Sequence, residues 1–173
     1  MTNIVIQQKI GTLQSFPVNN RVLDFVHIEW HETNKRIQRK KTESGCEISL
    51  KFLNSNPGLT EGDILWEDER SVLVVSVIPC DCIVIKPVSM QEMAAICYEI
   101  GNKHLPLYFE GEELLIPYEA PLFRLLLASR YPAKLEKRKL LTAFKTSVQS
   151  HAHESGSETL FSKIMKITNQ RDE

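Results

Sequence analysis

The sequence predicts an α+β protein: a small all-β sandwich or barrel over residues 1–76, a domain ordered strand, helix, strand, strand, helix, strand over 77–147, and a flexible histidine-containing tail over 148–173. Three observations predict this layout. Short β-branched and aromatic runs separated by turn residues fill the first 75 positions. Beyond Pro79, two segments with apolar residues at helical spacing interrupt the strand pattern. After about Ser147 the chain turns to Gln, Ser, Gly, His and Glu, a composition that buries too little apolar surface to order itself.

In the first part the predicted strands are Ile4-Val5-Ile6, Arg21 to Phe25, His27 to Trp30, Glu47 to Phe52, Asp63 to Trp66 and Ser71 to Val75. Ser44-Gly45, Asn54 to Gly58 and Glu61-Gly62 punctuate them. Between them, Lys35 to Lys41 is the strongest charge block and reads as a solvated hairpin. Six short strands in so few residues predict a sandwich or barrel.

In the second part Cys82 to Ile85 is a strand. Ser89 follows as a helix N-cap with Glu92 three residues on, the capping-box spacing. Met90, Met93, Ala94, Cys97 and Ile100 recur at helical intervals, and Gly101 is the residue expected to end the helix in a left-handed conformation. Leu105 to Phe109 and Glu113 to Pro117 form a hairpin around Glu110-Gly111-Glu112. A second helix starts near Ala120, with Pro121 in its first turn and Leu122, Leu125 and Leu126 as its apolar stripe. The last strand is Ala133 to Leu141. This order is that of the ferredoxin-like arrangement, in which two helices cover one face of a four-stranded sheet.

Composition narrows the function by exclusion. A formal net charge of -1 gives no global field for nucleic acid. No apolar run approaches the length of a membrane span, and Met1 to Val5 lacks the features of a secretory signal, so the expected location is cytoplasmic. The four cysteines, Cys46, Cys80, Cys82 and Cys97, then read as free thiols. Cys80-Asp81-Cys82 places two soft donors on one face of a strand, but no second pair closes a structural zinc site. No Ser/His/Asp set and no nucleophile elbow is visible, so the chain is not expected to be an enzyme.

The histidines carry the positive signal. His104 follows the first helix and precedes a strand, and loop positions on a rigid scaffold are where binding residues collect. His151 and His153 alternate in the polar tail, which lets both imidazoles meet one ion. Near neutral pH imidazole is largely unprotonated and binds nickel, copper, zinc or cobalt. The candidate metal ligands are therefore His104, His151 and His153, the first joined to further donors from a symmetry-related copy or from the tail. His27 and His31 are assigned structural roles.

Glu99-Ile100-Gly101-Asn102-Lys103-His104-Leu105-Pro106 resembles the signature of the urease accessory metallochaperone family UreE, which is close to Gly-Asn-Arg-His followed by an apolar residue and often proline. Leu59 to Leu65 is similar to that family's first-domain motif, and Arg39-Lys40-Lys41-Thr42 with Gly45 to its basic hairpin. The resemblance spans about residues 1 to 147. It implies a homodimeric nickel carrier, without catalytic activity, that loads the urease active site. The residue matching His104 would share one ion with its twin across the two-fold axis, and tail histidines would complete the shell. Zinc or copper would bind the same site in vitro. The implied partners are a second copy, the maturation GTPase UreG and the urease activation complex, with no nucleic acid and no membrane. Lys103 replaces the more frequent arginine, and a single His-x-His replaces the long His-rich run of some relatives, which argues for about one tightly held ion per dimer.

A different class of function is also compatible with the element order. A ferredoxin-like sheet serves as a single-stranded RNA reader when aromatics such as Tyr108 and Phe109 stack bases and a block such as Lys35 to Lys41 contacts phosphates. Adjacent residues on a strand point to opposite faces, however, and the chain is not basic.

Overall fold

The computed structural model describes residues 4–54 and 56–144. The first half holds seven strands: β1 (Ile4–Ile6), β2 (Gly11–Thr12), β3 (Val22–Ile28), β4 (Ile37–Lys41), β5 (Glu47–Lys51), β6 (Asp63–Glu67) and β7 (Ser71–Val77), with a 3-10 helix at Trp30–Glu32. They form a three-stranded sheet ordered β1-β5-β4 and a four-stranded sheet ordered β2-β6-β7-β3. Strands β1 and β5 run parallel, as do β3 and β7, which pair from Val22 with Ser71 through Ile28 with Val77.

One apolar cluster joins the two sheets. It contains Ile6, Val26, Ile28, Ile48, Leu50, Phe52, Leu65, Leu73, Val75 and Val77. On β7 the alternate residues Val72 and Val74 point the other way, into a second cluster with Ile64 that Leu13, Phe16, Leu23 and Phe25 cover. Burial on both faces is why Ser71 to Val77 reads as an unbroken apolar run instead of alternating. A register shift on β6 between Ile64 and Trp66 lets both Leu65 and Trp66 contribute to the inter-sheet cluster.

Several boundaries differ from the sequence reading. The two strands expected at Arg21 to Phe25 and His27 to Trp30 are one strand, because β7 offers a continuous partner, and the chain then turns into the 3-10 helix. The Lys35 to Lys41 block is not a hairpin in itself: Ile37–Lys41 is an edge strand paired with β5, and the turn lies at Thr42 to Cys46 with Gly45 at φ +91°. Arg39 and Lys41 face outward, whereas Lys40 turns in to pair with Glu32. The Leu59 to Leu65 motif is a turn locked by the buried Asp63 carboxylate, which accepts from the Thr60 N–H (2.8 Å) and the Lys9 ammonium (3.0 Å). Gly62 in this turn sits at φ +79°, which L side chains rarely adopt.

The second half contains β8 (Cys80–Ile85), α1 (Met90–Asn102), β9 (Tyr108–Glu110), β10 (Glu113–Pro117), α2 (Ala120–Ala128) and β11 (Ala133–Arg138). Its sheet is ordered β11-β8-β10-β9 with every pair antiparallel. Ile83, Ile85, Leu114 and Ile116 meet Ile96 and Ile100 of α1 and Leu122 and Leu126 of α2 on one face. Cys82, Val84, Tyr108 and Leu115 line the other face, against Leu140, with Trp30 and Cys80 packed beside them.

The expected first strand of the hairpin shortens to Tyr108–Glu110, since Pro106 supplies no N–H for a ladder. The last strand stops at Arg138 instead of Leu141, after which Phe109 donates its N–H to Thr142 and Phe144 donates its N–H to Leu107 (3.0 and 2.8 Å). Only Ile78 and Pro79 lie between β7 and β8. Contacts reinforce this connection: Trp30 packs edge-on to Tyr108 with ring centroids 6.2 Å apart, and Lys139 reaches Glu61 at 2.8 Å.

Candidate metal centre

His104 owes its position to the way α1 ends. The helix begins as the capping box predicts: the Ser89 hydroxyl accepts from the Glu92 N–H (3.1 Å), while the Glu92 carboxylate reaches back one residue further, to the Val88 N–H (2.7 Å). Its end departs from the expectation. Gly101 does not terminate the helix in a left-handed conformation; it lies within the last turn, and the residue at positive φ is His104 itself, at +53°.

The hydrogen bonds explain why. The His104 N–H donates to the Gly101 carbonyl (3.0 Å) and the Leu105 N–H to the Ile100 carbonyl (3.3 Å), the paired bonds of a Schellman motif with His104 at the left-handed position. Leu105 and Ile100 pack in the same apolar cluster, the hydrophobic contact that accompanies the motif. Burial of Ile100 thus decides which residue must invert. Glycine usually occupies that place because a Cβ costs energy there, so a histidine is a strained choice.

The imidazole is exposed, and no hydrogen bond or ion pair of its ring occurs among the described residues. Nor does any group of three or more His, Cys, Asp or Glu that suits a metal ion occur among them. The described residues of one chain therefore offer no complete ligand set at this place, and an incomplete set holds a divalent ion weakly. His151 and His153 lie outside the described residues. The other two histidines are engaged locally: His27 Nε2 with Glu43 at 2.7 Å, and His31 Nδ1 with Glu29 at 3.3 Å while its ring lies edge-on to Trp30.

The approach to His104 along α1 is apolar and uncovered. Ala94, Tyr98 and Gly101 recur at i, i+4 and i+7 and are all exposed, with Tyr98 69% accessible. No Cβ at Gly101 would meet any atom within 4 Å. The apolar spacing in the sequence marks only the buried stripe of this helix and leaves the opposite side unmarked. The alternation of Tyr98 against Ile96 and Ile100 carried the signal.

Residues 6–77 match the family described as the UreE urease accessory protein, N-terminal domain, and residues 80–160 match its C-terminal domain. The chain belongs to the UreE family. Among its relatives, the urease accessory protein UreE of Flavobacterium johnsoniae is 44% identical over 164 residues, covering 95% of this chain and 99% of that protein. Those of Acetivibrio thermocellus and Geobacillus kaustophilus are 37% and 39% identical, covering 87% and 82% of this chain and 97% and 95% of the relatives. As a UreE-family member the chain is an accessory protein of urease and not an enzyme. No helix among the described residues is long and apolar enough to cross a membrane.

Proposed function

We propose that this UreE-family chain is a nickel metallochaperone: it binds Ni(II) between two copies through their paired His104 side chains, with His151 and His153 completing the shell, and delivers the ion for assembly of the urease metallocentre. The observation that carries this reading is the exposed imidazole held at a strained left-handed helix end, outside any group of three or more metal-binding side chains among the described residues. A fixed but incomplete ligand is what a shared, releasable site needs. Nitrogen-rich sets of this kind suit nickel and copper and also take zinc, so selection between them rests on availability and on the receiving protein, which we take to be the GTPase UreG within the urease activation complex.

Two features support the ligand set and the dimer. The strip of Ala94, Tyr98 and Gly101 lets a second helix approach closely beside His104, and it supports a homodimer formed by the second domain. The last described residue has a fixed place: Phe144 is bonded to Leu107, three residues past His104, and His151 is seven positions further along the chain. An extended chain of that length reaches at most about 25 Å, enough to bring His151 back to the helix end.

The separate apolar clusters and the family boundaries at 77 and 80 support a division between 1–76 and 77–147, with a sandwich-like first domain that binds partners and a ferredoxin-like second, while the further boundary before 148–173 rests on composition. The strand order β11-β8-β10-β9 with both helices on one face supports the latter. A cytoplasmic location accords with this role. The RNA-reading alternative finds no such support: Tyr108 lies under Trp30, and Phe109 points to the opposite face, against Phe144.

Calorimetric titration of the full chain with Ni(II), run beside light-scattering mass measurement, tests the proposal. We expect about one high-affinity ion per dimer, lost in His104→Ala while the dimer persists. Unchanged affinity and stoichiometry in that variant would remove His104 from the site.

A further inference from the structure

The two sulfurs of Cys80 and Cys82 lie 3.6 Å apart, on the sheet face opposite the one that α1 covers. They share that face because alternate strand residues point the same way, while Ile83 between Cys82 and Val84 faces the helices. The separation discriminates between two fates for such a pair. A disulfide needs sulfurs about 2.0 Å apart, and Cys82 is clamped between β10 and β11, pairing with Pro117 and Glu136. Closing the gap would distort the central strand. Two corners of a tetrahedral thiolate site with bonds of about 2.3 Å lie about 3.8 Å apart, which asks for almost no movement.

We infer that Cys80 and Cys82 form a two-thiolate chelate for a thiophilic d10 cation of the zinc and cadmium class, separate from the histidine site. On binding, each thiol loses its proton to solvent and each sulfur donates a lone pair to the cation, so two protons leave per ion and no redox partner is needed. The remaining coordination positions are taken by water or a small thiol entering beside Cys80, which is half-buried, whereas Cys82 is fully buried.

The surroundings do not make a reactive thiol. Burial, the contact with Cys82 and the negative charge of Asp81 push the Cys80 thiol up to about 12. Burial likewise raises Cys82, against the relief it gets from Cys80 and the Arg138 carbonyl. Burial thus argues against a nucleophilic role for either thiol, whereas the spacing of the two sulfurs suits a chelate.

Cadmium serves as the probe because its thiolate complexes absorb in the near ultraviolet. Titration of the full chain should give a sulfur-to-cadmium charge-transfer band that saturates at one ion per chain and persists in His104→Ala and Cys97→Ser. Cys80→Ser, at the half-buried position that tolerates the change, should abolish the band with the far-ultraviolet dichroism unchanged. A band of undiminished intensity in Cys80→Ser, or no saturation at one ion per wild-type chain, would overturn the assignment. Persistence in His104→Ala separates this site from the nickel site, so either can fail alone.

Discussion

Replacing His104 tests the strained helix end directly, because its ring makes no described contact that the change would remove. A left-handed conformation costs an L residue about 1–2 kcal/mol. Glycine escapes that cost but adds freedom to the unfolded chain, which takes back about 0.4–1 kcal/mol. The difference leaves His104→Gly more stable than His104→Ala by about 0.5–1 kcal/mol, although glycine is the poorer residue nearly everywhere else in a helix. For a chain of this length that is a shift in Tm of about 1–4 °C. Urea titrations of both variants, read by circular dichroism, measure it through the midpoint at constant slope. Equal stability, or an advantage for alanine, would mean that the φ of +53° and the two capping bonds do not describe the helix end.

Ser89→Ala, which strips the N-cap acceptor from the Glu92 N–H, should destabilise the chain by about 1 kcal/mol in the same urea assay. Tyr98→Asp places a charge on the exposed apolar strip of α1; light scattering should show monomers, with the isolated chain still folded by circular dichroism. Glu32 supplies a pH test: burial would raise its carboxyl, but Lys40, the Glu29 N–H and Lys35 together hold it from 4.5 down to about 2. A lowered folded-state pKa contributes stability that is complete above 4.5 and disappears as the pH falls toward 2. Glu32→Gln should therefore be less stable at neutral pH, and its stability should fall less steeply than that of the parent chain between those values.

Much of the fold could be read from periodicity. Ser89 and Glu92 announced the start of α1, Pro121 the start of α2, and the Glu110-Gly111-Glu112 turn the hairpin, since each is a local device with its own hydrogen bonds. What could not be read depends on partners distant in sequence. Gly11–Thr12 is a strand only because β6 lies beside it, and Ile37–Lys41 only because β5 does. The end of α1 was misplaced for a related reason. Glycine has the strongest local preference for left-handed backbone, but burial of Ile100 and Leu105 sets the phase of the last turn and passes the inversion to His104. His104 itself stood out from its place between helix and strand, whereas the exposed side of α1 went unnoticed because small residues and one tyrosine carry little hydrophobic signal.

The two-residue passage from β7 to β8 has a mechanical consequence. With Trp30 packed against Tyr108 and the Lys139 ammonium tied to Glu61, there is little slack for one half to swivel on its neighbour. A pull on the first half is consequently passed on to α1 of the second instead of being lost in a slack tether.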